Sequence, residues 1–286
     1  MMELLNDILP IALRGSLLLL VLAVGLDATV QEAAYVLKRP NVLLRSTLAI
    51  AVIVPAFAAL VVAALPLDRA VKIGIVLMAV SPLPPFMPGK DIRLGGRRRY
   101  VYGLLVAVSM LAVILVPATV TILSRVFGEA VSIGPGPVLR LMLVSLLIPL
   151  AVGMLIHRVV PQAAERAAPI VNKIATVLLL IAVLPVFFGV LPMMLHLIGT
   201  GTVVSIAVVV VGSLVTGHLL GGPEPQDRAA LAIACTTRHP GVALLIAQAN
   251  FAEPEIKAVI LLFVIVGVLV GLPYQVWYKR HKVALQ

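Results

Sequence analysis

The sequence predicts an all-α polytopic membrane protein of about nine transmembrane helices. Three observations predict it. Hydrophobic residues make up 62% of the chain and charged residues 12%, against about 25% charged in a soluble domain. The apolar residues fall into runs long enough for helical spans, which need about 20 residues each. The basic residues collect between the runs, more heavily in every second connection, as the positive-inside rule requires.

The nine runs are Leu17 to Tyr35, Val42 to Leu65, Val71 to Met87, Tyr100 to Phe127, Leu139 to His157, Ile170 to Leu191, Val203 to Leu220, Ala229 to Asn250 and Ala258 to Trp277. They are too long for barrel strands and do not alternate in polarity. With the N-terminus outside, the inner connections hold Lys38, Arg39, Arg45, Arg93, Arg97, Arg98, Arg99, Arg158, Arg166, Lys173, Arg228, Lys279, Arg280 and Lys282. The outer ones hold only Arg14, Arg69, Lys72, Arg125, Arg140 and Lys257. An even number of spans scrambles this bias, so nine spans and a cytoplasmic C-terminus are expected. A bacterial inner membrane is the expected location.

The net charge of +10 is accounted for by these connections, and no nucleic-acid partner is expected. The single cysteine, Cys235, excludes an intrachain disulfide, and its surroundings suggest an inert buried thiol.

Two spans are interrupted. The third ends in Ser81-Pro82-Leu83-Pro84-Pro85-Phe86-Met87-Pro88-Gly89-Lys90-Asp91. Its prolines remove backbone donors and clash one turn back, so a regular helix stops there. The eighth contains Cys235-Thr236-Thr237-Arg238-His239-Pro240-Gly241 between apolar stretches. Broken backbone at membrane depth survives only where it is buried in protein or lines a cavity. The breaks lie five spans apart, so their spans run in opposite directions. That pattern predicts inverted repeats, residues 10–127 and 137–280 of a single domain spanning 1–286, with a substrate site at crossed discontinuous helices.

After each Pro-Gly a half-helix is expected, its free N–H groups favouring an anion. Charged groups in a membrane are costly and are candidates for function. The predicted substrate contacts are Arg238, His239, Pro240, Gly241, Thr236 and Thr237 at one break and Pro88, Gly89 and Lys90 at the other. Asp91 and His239 are the candidates for coupling or ion pairing, with Lys90 or Arg238 as partners for Asp91. Two placements of Lys90 and Asp91 stand at this point, the cavity or the cytoplasmic loop. Thr236 and Thr237 either line the cavity or satisfy freed backbone. Asp27 is expected near the inner interface, and His196 and His218 near span ends. No nucleophile elbow, phosphate loop or metal-ligand spacing is present, so neither an enzyme nor a metal or cofactor site is expected.

The stretch Ala234-Cys235-Thr236-Thr237-Arg238-His239-Pro240-Gly241-Val242-Ala243 resembles the broken ninth helix of the bile acid:sodium symporter family. Gly25-Leu26, Arg39-Pro40, Pro55 and the Ser81-Pro82 break fit the same family. The resemblance implies a core domain holding the crossed helices and a panel domain that moves against it. Nine spans match the form that lacks the first of ten helices. It also implies organic anions as substrates, usually carried with sodium.

The sodium-site pattern of the family is not matched. Coupled members place a Gln where Ile50 stands. Their Thr, Ser and Asn at the third-span break fall on Pro85, Met87 and Pro88. Their Glu falls on Ala234, and their Gln-Asn pair on Arg238 and His239. Hard cations need oxygen ligands, and Arg238 brings a repelling charge. The expectation is a secondary transporter of a small carboxylate- or sulfonate-type anion, not coupled to sodium through these sites, with protons as an alternative coupling ion. The competing readings are a sodium-coupled organic anion symporter, a channel, a membrane sensor keeping the transporter fold, and a thiol-dependent arsenite-type carrier using Cys235.

Overall fold

The computed structural model describes residues 2–84, 87–128 and 135–283. Among them all regular structure is helical. The chain begins with α1 (Met2–Asp27) and a single turn, α2 (Val30–Ala33). Next, α3 (Pro40–Thr47) passes through a π-helical turn (Leu48–Ile53) into α4 (Val54–Ala64). Then come α5 (Arg69–Val80), α6 (Met87–Arg93) and α7 (Arg98–Phe127). A second π turn (Leu143–Leu147) joins α8 (Pro135–Met142) to α9 (Ile148–Val159). The rest is α10 (Pro161–His196), α11 (Thr202–Leu220), α12 (Pro225–Thr236), α13 (Pro240–Asn250) and α14 (Pro254–Val283).

Joined across their π turns and breaks, the described helices form nine units matching the nine predicted runs. Five are long and apolar enough to cross a membrane by themselves: Pro40–Ala64, Arg98–Ile122, Pro161–Pro185, Thr202–Leu220 and Pro254–Arg280. The units containing α5 and α12 are divided by the two expected interruptions. The first run is bounded differently from the expectation. Here α1 stops at Asp27 because Thr29 starts a new turn. The Thr29 hydroxyl accepts from the Glu32 N–H, and the Glu32 carboxylate accepts from the Thr29 N–H. This reciprocal capping box fixes a helix start.

The helices sort into two packed groups. In one, α1 lies along α10 and α9. In the other, α11 packs on α12, α4 and α14, α5 packs on α14 and α4, and α7, with α6 beside it, packs on α5 and α12. Lipid tails are as apolar as the helices, so association relies on close approach at small residues. A Cβ on Gly25 would meet the Leu150 carbonyl oxygen at 2.4 Å, and one on Gly153 would meet that of Leu22 at 2.6 Å. The α1–α9 crossing therefore needs glycine on both sides. In the second group, Gly217 gives α11 the same access to α12.

Ion pairs join helix ends that the alternation places on one side. Arg97 grips Asp227 through two hydrogen bonds, and this contact raises the pKa of the Arg97 guanidinium. Arg98 bonds Asp27 and Glu32, each at 3.0 Å, and Tyr102 donates to Asp27 at 2.6 Å. Those residues all belong to predicted inner ends. Arg69 pairs with Glu253 at predicted outer ends.

The packing predicts opposite signs for one substitution at two sites. Gly153→Ala is expected to lower the melting temperature in detergent, by roughly 1–3 kcal/mol of overpacking. Gly189→Ala, in mid-helix with open space around it, is expected to hold or raise it. Circular dichroism melts of the two variants provide the check.

Candidate functional site

The site starts from carbonyl groups that lose their helical donors. In the π turn, the Val54 N–H bonds the carbonyl of Ala49, five residues back. An α-helix would direct it to Ile50. The Ile50 carbonyl is thereby released at a fully buried position.

A second carbonyl is released at the third-span break. After α5, Ser81 turns extended (φ −64°, ψ 142°). Its α-helical donor would be residue 85, a proline without an N–H. Pro85 and Phe86 themselves lie outside the described residues. The Ser81 hydroxyl turns back to Leu77, leaving its carbonyl free.

A third is released at the eighth-span break. There α12 ends at Thr236 and Thr237 is extended. The donor due to Cys235 in a continued helix is the His239 N–H. It bonds the Pro82 carbonyl instead, at 2.9 Å. That bond ties one break directly to the other.

Arg238 fills the space so created. Its Nε donates to the Cys235 carbonyl at 3.1 Å, and its Nη1 donates to the carbonyls of Ile50 and Ser81, each at 3.2 Å. The side chain is 3% exposed. Nη2 has no hydrogen-bond partner among the described residues. One guanidinium thus joins the second, third and eighth spans. Its partners are backbone oxygens, not the Asp91 carboxylate.

The neighbouring residues serve the same break. His239 Nδ1 accepts the Gly241 N–H at 3.1 Å and caps α13, whose first residue is Pro240. The imidazole therefore presents an unprotonated Nδ1 to the helix start and occupies one of the amides expected to face an anion. The hydroxyls of Thr236 and Thr237 both donate to the Ile233 carbonyl, which also keeps its helical bond from the Thr237 N–H. Cys235 is buried. The cavity touching Ile50 and Pro82 measures about 20 Å³, enough for about one water molecule.

The other break is placed differently. Pro88, Gly89, Lys90 and Asp91 all belong to α6. Pro88 and Asp91 are buried and Gly89 is exposed; the Lys90 side chain lies outside the described residues. Gly89 opens onto a cleft of about 350 Å³ between the two helix groups. Asp27, Asn172 and Thr176 line it from α1 and α10, and Arg93 and Tyr102 line it from α6 and α7. The crossing at Arg238 and the cleft at Gly89 are thus separate features. Among the described residues, no three His, Cys, Asp or Glu side chains cluster to hold a metal ion.

Sequence reasoning missed Ile50 and Ser81, which act through main-chain oxygen, and the cleft residues Arg93, Asn172 and Thr176. Pro85 was the available signal for the Ser81 carbonyl, since it removes that carbonyl's helical donor.

The cap at His239 is testable by substitution. His239→Ala is expected to cost about 1 kcal/mol and to lower the detergent melting temperature. His239→Asn, which keeps an acceptor at the cap, is expected to melt near the wild type. Equal loss in both variants contradicts the capping role.

The comparisons with known proteins add the family. The model of the Sodium Bile acid symporter family matches residues 16–197, well over half of the chain. The match takes in the second and third spans with Ile50 and Ser81, and ends before the eighth-span break. A search of curated proteins finds no match. A helical membrane protein with two interrupted spans and this match belongs to the sodium bile acid symporter family, a family of membrane transporters.

Proposed function

We propose that the chain is a secondary transporter of a small organic anion, working by alternating access without sodium at the sites used by coupled members of the family. The observation that carries this reading is the seat of Arg238. Three carbonyl oxygens from three spans, two of them interrupted, converge on its guanidinium. Such a set of oxygens suits a hard cation, and here a side chain supplies the positive charge permanently. Ile50, at the position where coupled relatives carry a Gln, contributes only its backbone.

The two helix groups supply the moving parts. The group of α1, α9 and α10 acts as the panel, and the group holding the breaks acts as the core. They stand as one domain, 1–286, with inverted repeats at 10–127 and 137–280 and the C-terminus in the cytoplasm of a bacterial inner membrane. The cleft at Gly89 lies between the groups and offers Arg93, Asn172 and Thr176 to a carboxylate or sulfonate. In this reading the substrate meets the cleft, while Arg238 with His239, Pro240 and Gly241 governs the crossing. Where protons drive transport, Asp91 is the favoured carrier, because His239 Nδ1 is engaged as a cap.

Uptake into proteoliposomes tests the reading. Labelled taurocholate, a steroid sulfate and small carboxylates are offered with sodium outside, and again with choline in its place. Uptake of the transported anion is expected to be unchanged by the swap. A steep sodium requirement overturns the proposal and favours the sodium-coupled symporter suggested by the family name.

A further inference from the structure

A second groove of about 420 Å³ runs along the outside of the seam between the helix groups. Val30 of α2 and Met110 of α7 form one wall, and Leu147, Ala151 and Leu155 form the other. These walls are apolar, and Val30, Met110 and Leu155 are exposed. At one end stands Arg158, also exposed. It has no ion-pair partner among the described residues. The adjacent His157 is held by the Leu26 carbonyl at 2.7 Å, which anchors this end of α9 to the end of α1.

The dimensions identify an occupant. From Leu147 to Arg158 there are eleven helical steps, or about 16 Å at a 1.5 Å rise. That is about half of a hydrocarbon core roughly 30 Å thick, the depth of one leaflet. A slot one leaflet deep, apolar along its length and cationic at its mouth, complements an acyl chain bearing an anionic headgroup. Arg158 lies on the side where the basic connections gather, among them Lys38, Arg39 and Arg99. Arg39 and Arg99 both lie over the Tyr35 ring, at 3.8 Å and 5.0 Å.

We propose that this groove binds an anionic glycerophospholipid of the inner leaflet, with its phosphate on Arg158 and one acyl chain between α7 and α9. Binding itself stands apart from the transport reading. Its consequence rests on that reading: a lipid wedged in the seam between panel and core holds the two groups in one arrangement.

Native mass spectrometry of the purified protein tests this, from detergent micelles carrying equal phosphatidylglycerol and phosphatidylcholine with identical chains. The wild type is expected to retain phosphatidylglycerol preferentially. Arg158→Gln is expected to cut that preference about fivefold, the worth of one basic residue at a membrane surface. Arg140→Gln, an exposed arginine at the other end of the same unit, is expected to leave it unchanged. Ala151→Trp fills the groove and is expected to remove retention of both lipids; Leu155→Trp serves the same purpose if Ala151→Trp fails to fold. An unchanged preference in Arg158→Gln, or full retention in a filled groove, overturns the proposal. Displacement of the lipid by excess inorganic phosphate also overturns it, because the site then reads a free anion.

Discussion

A carbonyl without a donor is costly inside a bilayer, since no water is there to replace the bond. This constraint organises the centre of the molecule. A π turn ahead of Pro55, a proline run after Ser81 and a break at Thr237 each free one carbonyl. Left alone, every such group would cost about 1–3 kcal/mol. Arg238 answers all three from one side chain. In return, the carbonyl dipoles provide the environment that a buried guanidinium needs. The irregularities and the arginine therefore depend on each other, and neither is a stable arrangement alone.

The remaining structure holds this centre in place while leaving a seam. The His239 N–H bonds the Pro82 carbonyl, so the two breaks form one unit instead of two loose loops. Around it, α11, α12, α14, α4 and α5 pack closely, with Gly217 admitting α12 to α11. The group of α1, α9 and α10 is locked through Gly25 and Gly153. Between the groups lie the polar cleft at Gly89 and, at one end, the Asp27–Arg98–Tyr102 contacts. A seam secured by a few polar contacts beside tightly packed blocks suits relative movement of the blocks.

Much of this architecture was legible in the sequence. Span length and the alternation of basic residues gave the nine units. The proline run and Arg238-His239-Pro240 marked both breaks, because proline acts locally through its own missing N–H. The capping box at Thr29 was also present in the residue spacing, but it sat inside an apolar run that reads as one span. What was hidden is the partner of Arg238. An arginine beside a half-helix start points towards an anion when only its own span is considered. Which carbonyls are free is decided by hydrogen bonds in other spans, including a five-residue bond at Ala49 that no residue pattern announces. The cleft was hidden for a similar reason, since Gly89, Arg93, Asn172 and Thr176 come from helices far apart in the chain.

Arg238 supplies the positive charge demanded by the carbonyls at the crossing. Removing the side chain with Arg238→Ala should leave a cavity that still wants a cation. The direct measurement is the melting temperature of this variant in detergent, with choline, sodium or millimolar guanidinium as the added chloride salt. The variant is expected to be destabilised and to be partly restored by guanidinium or sodium, which bind the folded state, while the wild type responds to neither. A variant as stable as the wild type, or one that responds to choline equally well, would contradict it.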